Sequence, residues 1–379
     1  MTTLPEPDAK SKRGKSRLQR LIAALRSMAA PVDAMLVTHP QDVRYLTGFT
    51  GSNAALVVPS GGASRQRSIL FTDGRYTEQA KQQTQGAGVV IARGPVVREA
   101  CAWMLERKIA RCAFDAEHTA VSTLDAMRQW IPSRQRRNFF RGLQPLAAEL
   151  RQIKDAEEIG KLRAAAALGC NLFDDLLIHV EAGKKEVEIA AQLEFAARMA
   201  GAEAMSFETI VASGARSALP HGHATRQRLP RRGFMVLDFG VMLDGYCSDM
   251  TRTVHLGRAT AAERDAYEAV LSAQLAAIDA VKPGMQCGDV DEAARGVLRQ
   301  AKLADYFTHS TGHGVGLEIH EGPRIAARQQ QKLQTGMVIT IEPGVYLPGR
   351  FGIRIEDMVL VTKHGAEILT PSTKAWIEL

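Results

Sequence analysis

The sequence predicts two domains, an α/β domain followed by an α+β domain. Three observations carry this. Strand-like and helix-like segments alternate over roughly 120 residues of the first half, the pattern of a mixed sheet covered by helices. In the second half, helix-period segments stand apart from a group of strands and glycine-rich turns. At the centre of that half lies one apolar hairpin, Val236 to Asp249. A chain of 379 residues also exceeds what one small core organises, so two domains are the natural division.

Taken in order, Met1 to Arg17 is basic through Lys10, Lys12, Arg13, Lys15 and Arg17, and no apolar stretch follows it. It therefore reads as a disordered basic tail (residues 1–17) rather than a secretory signal. Leu18, Leu21, Ile22, Leu25 and Met28 recur at helical spacing. Ala34 to Val37, Asn53 to Pro59, Ser68 to Thr72, Gly88 to Ala92 and Ala110 to Phe114 read as strands, and Tyr76 to Gln83, Arg98 to Ile109 and Ser122 to Trp130 as helices. The basic, Pro-containing stretch Ile131 to Ala147 reads as the junction, giving domains over 18–147 and 148–379. Asp155 and Glu158 have capping-box spacing ahead of a long helix ending near Gly183. Further helices are expected over Glu186 to Ala200, over Ala261 to Val281, and from a cap at Asp289 or Asp291 to Ala304. Met337 to Ile341, Phe351 to Ile355 and Asp357 to Thr362 read as strands.

Composition excludes several classes. No apolar run approaches the roughly 20 residues that span a bilayer. The five cysteines are odd in number, scattered and without a C-x-x-C, which fits reduced thiols in the cytoplasm rather than a disulfide framework or a zinc ribbon. The net charge of +7 is dispersed over separate clusters with no aromatic platform, so it reads as solvated surface and not as a nucleic-acid interface.

The hairpin carries the chemistry. Asp244-Gly245 suits a two-residue type I′ turn, which pairs Leu243 with Tyr246 and sets Gly240 opposite Asp249. Asp238 then shares a face with Asp249 as a diagonal neighbour, about 7–8 Å away. Two acids on an apolar hairpin are costly to bury without cations. Cys247 shares that face nearer the turn and reads as a packing residue. Three later stretches add ligand-type residues: His309-Ser-Thr-Gly-His313-Gly-Val-Gly-Leu-Glu-Ile-His320, the strand ending at Glu342-Pro-Gly, and Arg354-Ile-Glu356-Asp. Asp238, Asp249, His313, Glu342 and Glu356 together supply four carboxylates and one imidazole. Four negative charges balance two divalent cations, and oxygen-rich donors with one nitrogen favour Mn²⁺, Co²⁺ or Zn²⁺. A pair of such ions lowers the pKa of a shared water and suits amide hydrolysis at neutral pH.

This order of motifs resembles the pita-bread metallopeptidases, which include aminopeptidase P, prolidase, methionine aminopeptidase and the metal-free creatinases. Ser206 to Gly222 and the creatinase-like stretch Val43-Arg-Tyr-Leu-Thr-Gly-Phe-Thr-Gly51 narrow the resemblance to the Xaa-Pro peptidases. It implies a creatinase-like N-terminal domain and a pita-bread catalytic domain. Asp238 would bind one metal, Asp249 and Glu356 both, and His313 and Glu342 would complete the shell around the second ion. The catalytic set it implies is His221, His320, Glu342 and Arg354, with His221, His309 and His320 on the substrate. The implied activity is release of the first residue from peptides with proline second, an Xaa-Pro aminopeptidase using a metal-bridging hydroxide, with Mn²⁺ as the expected ion. The alternatives are a prolidase cleaving Xaa-Pro dipeptides and a non-enzymatic binding protein on the same fold. A homodimer is implied as well. His223 and His255 match no motif and read as surface or structure.

Overall fold

The computed structural model describes residues 7–61 and 67–379, the side chains of 7–16 excepted. The chain divides into two compact units between Arg151 and Gln152.

The first unit opens with α1 (Pro7–Arg26). Residues 7–17 are therefore helical, against the expectation of a disordered tail; residues 1–6 of that tail lie outside the described residues. Proline is tolerated in a first turn, Lys and Arg are good helix formers, and buried Leu18, Leu21 and Leu25 anchor the end of the helix. There follow β1 (Ala34–Val37), α2 (Pro40–Thr47), β2 (Ala54–Pro59), β3 (Ile69–Asp73), α3 (Thr77–Gln83), β4 (Gly88–Ala92), α4 (Val96–Glu106), β5 (Cys112–Asp115), α5 (Val121–Gln129), α6 (Ser133–Phe139), β6 (Phe140–Leu143) and α7 (Leu146–Arg151). The strands form one mixed sheet in the order β4-β3-β2-β1-β5-β6. Its β1–β5 and β5–β6 pairs are parallel, and β1–β2 is antiparallel. The stretch read as a junction is thus part of the domain: Phe139 is fully buried, while Arg134, Arg136 and Arg137 face solvent on α6. Basic residues on one exposed face hid a short helix and an edge strand.

The second unit contains α8 (Ala156–Leu177), α9 (Glu186–Met199), β7 (Ala204–Met205), β8 (Ile210–Ser213), β9 (Gly233–Phe239), β10 (Val241–Leu243), β11 (Tyr246–Cys247), β12 (Met250–Leu256), α10 (Ala261–Ala280) and α11 (Cys287–Gln300). The strands β13 (Gly312–Gly314), β14 (Glu321–Ile325), β15 (Val338–Ile341), β16 (Gly344–Leu347), β17 (Phe351–Arg354), β18 (Asp357–Thr362) and β19 (Gly365–Ile368) complete it. Asp155 and Glu158 make the expected capping box on α8. The start of α11 differs from expectation: Gln286 occupies the N-cap, and Asp291 is buried one turn in, bound to a loop instead.

Each helix pair has its own core. Side chains of α8 and α9 pack on β8, β9 and β12 through Phe173, Leu193, Leu237 and Val254. Side chains of α10 and α11 pack on β15, β17 and β18 through Val270, Leu298, Ile339 and Val359. No described helix is long and apolar enough to cross a membrane. All five cysteines are buried, and none of them is in a disulfide.

Candidate metal centre

The hairpin turns as its sequence requires. Asp244 and Gly245 both take positive φ, at 48° and 71°, and Leu243 pairs with Tyr246. The same register continues past the turn, with Phe239 opposite Met250 and Asp238 opposite Thr251. Asp249 therefore falls diagonal to Asp238 on one face. Gly240 is required between them, because a Cβ there would lie 1.8 Å from the Ser248 carbonyl oxygen.

The second helix-covered sheet brings the other ligand-type residues to this face. His313 lies in β13, Glu342 follows β15, and Glu356 sits in the step between β17 and β18. The backbone N–H of Glu356 donates to the Thr251 carbonyl at 3.1 Å, which ties that step to β12. One ligand atom each from Asp249, His313 and Glu356 lies within 4.8 Å of the other two. His313 Nε2 is 3.6 Å from Asp249 Oδ2 and 3.5 Å from Glu342 Oε1. Its Nδ1 is 3.0 Å from the Gly314 carbonyl, which holds the proton on Nδ1 and leaves Nε2 as a donor to a cation.

The side chains behind these ligands are fixed in turn. Thr251 Oγ1 donates to Glu356 Oε2 at 2.7 Å and accepts from Arg354 Nε at 3.1 Å. Arg354 Nη2 donates to Asp238 Oδ2 at 2.5 Å, and its Nη1 donates to the Pro220 carbonyl and the Tyr346 hydroxyl. The Tyr346 hydroxyl lies 2.8 Å from His309 Nε2, and His309 Nδ1 lies 2.8 Å from the Ser310 carbonyl. That sequence is satisfied when Arg354 donates to Tyr346 and Tyr346 donates to neutral His309. Asp291 accepts from the N–H and hydroxyl of Thr311, whose carbonyl accepts from the Glu342 N–H. Thr251 and Tyr346 went unnoticed in the sequence, since a strand Thr and a strand Tyr carry no signal of their own, and Asp291 was read there only as a helix cap.

Electrostatics suit the cluster to cations. Burial, followed by the charges of Glu356, Asp238 and Glu342, pushes the Asp249 carboxyl well above its ordinary range. Burial and then Glu342 and Asp238 do the same to Glu356. Burial raises Glu342 to about 7. Asp249, Glu356 and Glu342 are held off ionisation by burial and then by neighbouring negative charge, and a divalent cation is what would reverse that. Three buried oxygens, Asp238 Oδ1, Asp249 Oδ1 and Glu356 Oε1, have no hydrogen-bond partner. Buried carboxylate oxygens are paired or bind metal. The donor set of four carboxylates and one imidazole therefore fits divalent cations.

The accessory histidines are not equally close. The His320 ring packs edge-on against His313 at 4.5 Å, and burial lowers its pKa. Burial lowers His309 to about 4. His221 is exposed, but a charge on it is felt at both His309 and His320. His255 is fully buried against Phe234 and Trp376, and His223 pairs with Glu208 at the surface; neither joins the cluster.

Comparison with known proteins places this geometry in a family. An Xaa-Pro dipeptidase of Pyrococcus furiosus is 35% identical, covering 95% of this chain and 99% of its own. The structure of an Xaa-Pro dipeptidase from Bacillus anthracis superposes with a TM-score of 0.91 at 36% identity, covering 97% of this chain and all of the other. That of an X-Pro aminopeptidase from Thermotoga maritima gives 0.86 at 35% identity, covering 96% and 100%. The model of the creatinase/prolidase N-terminal domain matches residues 17–153. The metallopeptidase M24 model matches residues 160–363, a span that holds every member of the carboxylate–imidazole cluster, and the chain belongs to metallopeptidase family M24.

Proposed function

We propose that this metallopeptidase cleaves the bond between a first residue and a following proline, and that its preferred substrates are Xaa-Pro dipeptides. The observation that carries the chemistry is the set of three unpartnered buried carboxylate oxygens on Asp238, Asp249 and Glu356, of which the last two residues cluster with His313. Two divalent cations held by Asp238, Asp249, His313, Glu342 and Glu356 would supply charge that acidifies water and polarises the scissile carbonyl. An oxygen-rich set with one imidazole suits Mn²⁺, with Co²⁺ next and Zn²⁺ after it.

The chain's own residues then have distinct tasks. Arg354 and Thr251 hold Asp238 and Glu356 in place, each through a charge-assisted hydrogen bond. Glu342 is the proton carrier: its carboxyl takes the proton of the attacking water and delivers it to the departing nitrogen. An Xaa-Pro bond is a tertiary amide whose nitrogen has no N–H, so that delivery is indispensable. His320, beside His313, and His221 face the substrate carbonyl as hydrogen-bond donors. His309 and Tyr346 would line the wall that receives the proline ring.

Sequence motifs alone favour cleavage of longer peptides. The preference for dipeptides is supported by the Xaa-Pro dipeptidases of P. furiosus and B. anthracis, related over nearly the full length of both chains. The T. maritima aminopeptidase structure supports the second reading. Product release from Ala-Pro and from Ala-Pro-Ala separates them, after chelation and Mn²⁺ re-addition, with Asp249→Ala as control. Metal-dependent cleavage confined to Ala-Pro is the expected result. Faster release of Ala from Ala-Pro-Ala would make the protein an aminopeptidase, and cleavage of neither would sink both readings.

A further inference from the structure

A second group of imidazoles and carboxylates comes together in the first unit. His39-Pro-Gln-Asp42 opens α2 just beyond the end of β1, and Asp115-Ala-Glu-His118 begins at the last residue of β5. These two strands are parallel neighbours, with Leu36 opposite Phe114, so both segments leave the sheet at the same edge. The carboxyl ends of adjacent parallel strands, where loops diverge, form the crevice in which α/β sheets bind ligands. Here each loop brings one acid and one imidazole at three-residue spacing.

The side chains are arranged as a metal site requires. The His39 and His118 rings stack at 3.8 Å with 17° between planes. Asp115 Oδ2 lies 2.8 Å from His118 Nδ1, and its Oδ1 accepts the N–H groups of Glu117 and His118. That arrangement sets the proton on Nδ1, turns Nε2 into a lone-pair donor and holds the ring by an outer carboxylate, as metal-binding histidines are held. Asp42 is buried; Arg151 Nη1 donates to its Oδ1 at 2.8 Å, and its Oδ2 lies 3.5 Å from His39 Nδ1. One ligand atom each from His39, Asp42 and His118 lies within 4.8 Å of the others. Among the described residues, Asp42 and Asp115 against Arg151 leave one negative charge with neutral rings, which a cation offsets. The His118 side chain is 27% exposed, so the group opens to solvent.

We propose that His39, Asp42 and His118 form a further transition-metal site, separate from the catalytic cluster, with Asp115 orienting His118 and water completing the coordination. Two imidazoles and one carboxylate suit Zn²⁺ over Mg²⁺ or Ca²⁺. The bound ion would tie the first turn of α2 to the loop after β5. This inference does not rest on the substrate assigned above.

Equilibrium dialysis of the chelator-stripped full chain against buffered Zn²⁺, with ions counted by mass spectrometry, tests it. The expected result is one ion fewer per chain in His39→Gln and in His118→Gln than in the wild type. A chain carrying Asp249→Ala and Glu356→Ala should still bind an ion that His118→Gln removes. Equal counts in the wild type and both variants would overturn the proposal. Should either variant fail to fold, nitrogen-15 spectra of histidine-labelled wild type decide it: Zn²⁺ must shift the ring nitrogens of His39 and His118, and unmoved signals would end the idea.

Discussion

Two residues near the centre show how much rests on side chains outside the metal-ligand set. Thr251 donates a hydrogen bond to Glu356 and accepts one from Arg354, so it aligns Glu356 and the arginine that holds Asp238. Thr251→Val keeps the shape and removes both bonds. Outer partners of this kind are typically worth about 10–100-fold in metal affinity. A Mn²⁺ titration should therefore show weakening of that order with the fold intact, and unchanged affinity would remove Thr251 from the argument. His309 bears on pH. Burial lowers its pKa to about 4 from an ordinary 6.5, so between those values the unfolded chain binds the extra proton. Its contribution to stability is complete above pH 6.5 and is lost as pH falls towards 4, on the order of 3 kcal/mol in total. Urea unfolding of His309→Gln, which does not titrate, should show a shallower fall than the wild type across that window. Parallel curves would contradict the burial. Of these residues the sequence disclosed His309, through its motif, and concealed Thr251, because β-branched residues are ordinary in strands and only the register sets this one opposite Asp238.

At the scale of elements, the hairpin was legible because its information is local. Asp244-Gly245 sets the turn, the turn sets the register, and the register brings Asp238 and Asp249 to one face. Gly245→Ala must place a side chain at a φ of 71°, a cost of about 1 kcal/mol that the hairpin survives. Gly240→Ala drives a methyl to within 1.8 Å of the Ser248 carbonyl, and the strands must part exactly between the two acids' positions on the ladder. Gly240→Ala should therefore lose both thermal stability and bound metal, while Gly245→Ala loses a few degrees and keeps its ions. Equal loss of metal in both would mean that the register is not what places the acids. Elements whose information is long-range were harder to see. The edge strand β6 depends on pairing with β5, and its neighbour α6 is recognisable only once Phe139 is seen to be buried beneath an arginine-rich surface. Likewise Asp291 has the sequence signature of a helix cap, yet the loop at Thr311 claims its carboxylate.

Across the catalytic unit, the cluster joins two separately packed halves. Asp238 and Asp249 come from the sheet beneath α8 and α9; His313, Glu342 and Glu356 come from the strands beneath α10 and α11. Behind the cluster the halves are clamped by Arg252, which donates to the Glu356 carbonyl and to Asp357 at 2.8 Å, while Lys374 and Gln274 complete the pairing of that acid. In front, the carboxylates of the two halves repel one another unless cations lie between them. Ions held there would thus be as much a joint as a reagent, and the sign of one substitution should depend on them. In the metal-loaded protein Glu356→Gln removes a ligand and lowers the thermal midpoint. In the chelated protein the same change removes a buried acid at neutral pH while retaining an acceptor for Thr251, and it should raise the midpoint relative to chelated wild type. At about 2–4 °C per kcal/mol for a unit of this size, both shifts are measurable by calorimetry. Lowering under both conditions would show that the halves are held by packing alone and that Glu356 is not part of the joint.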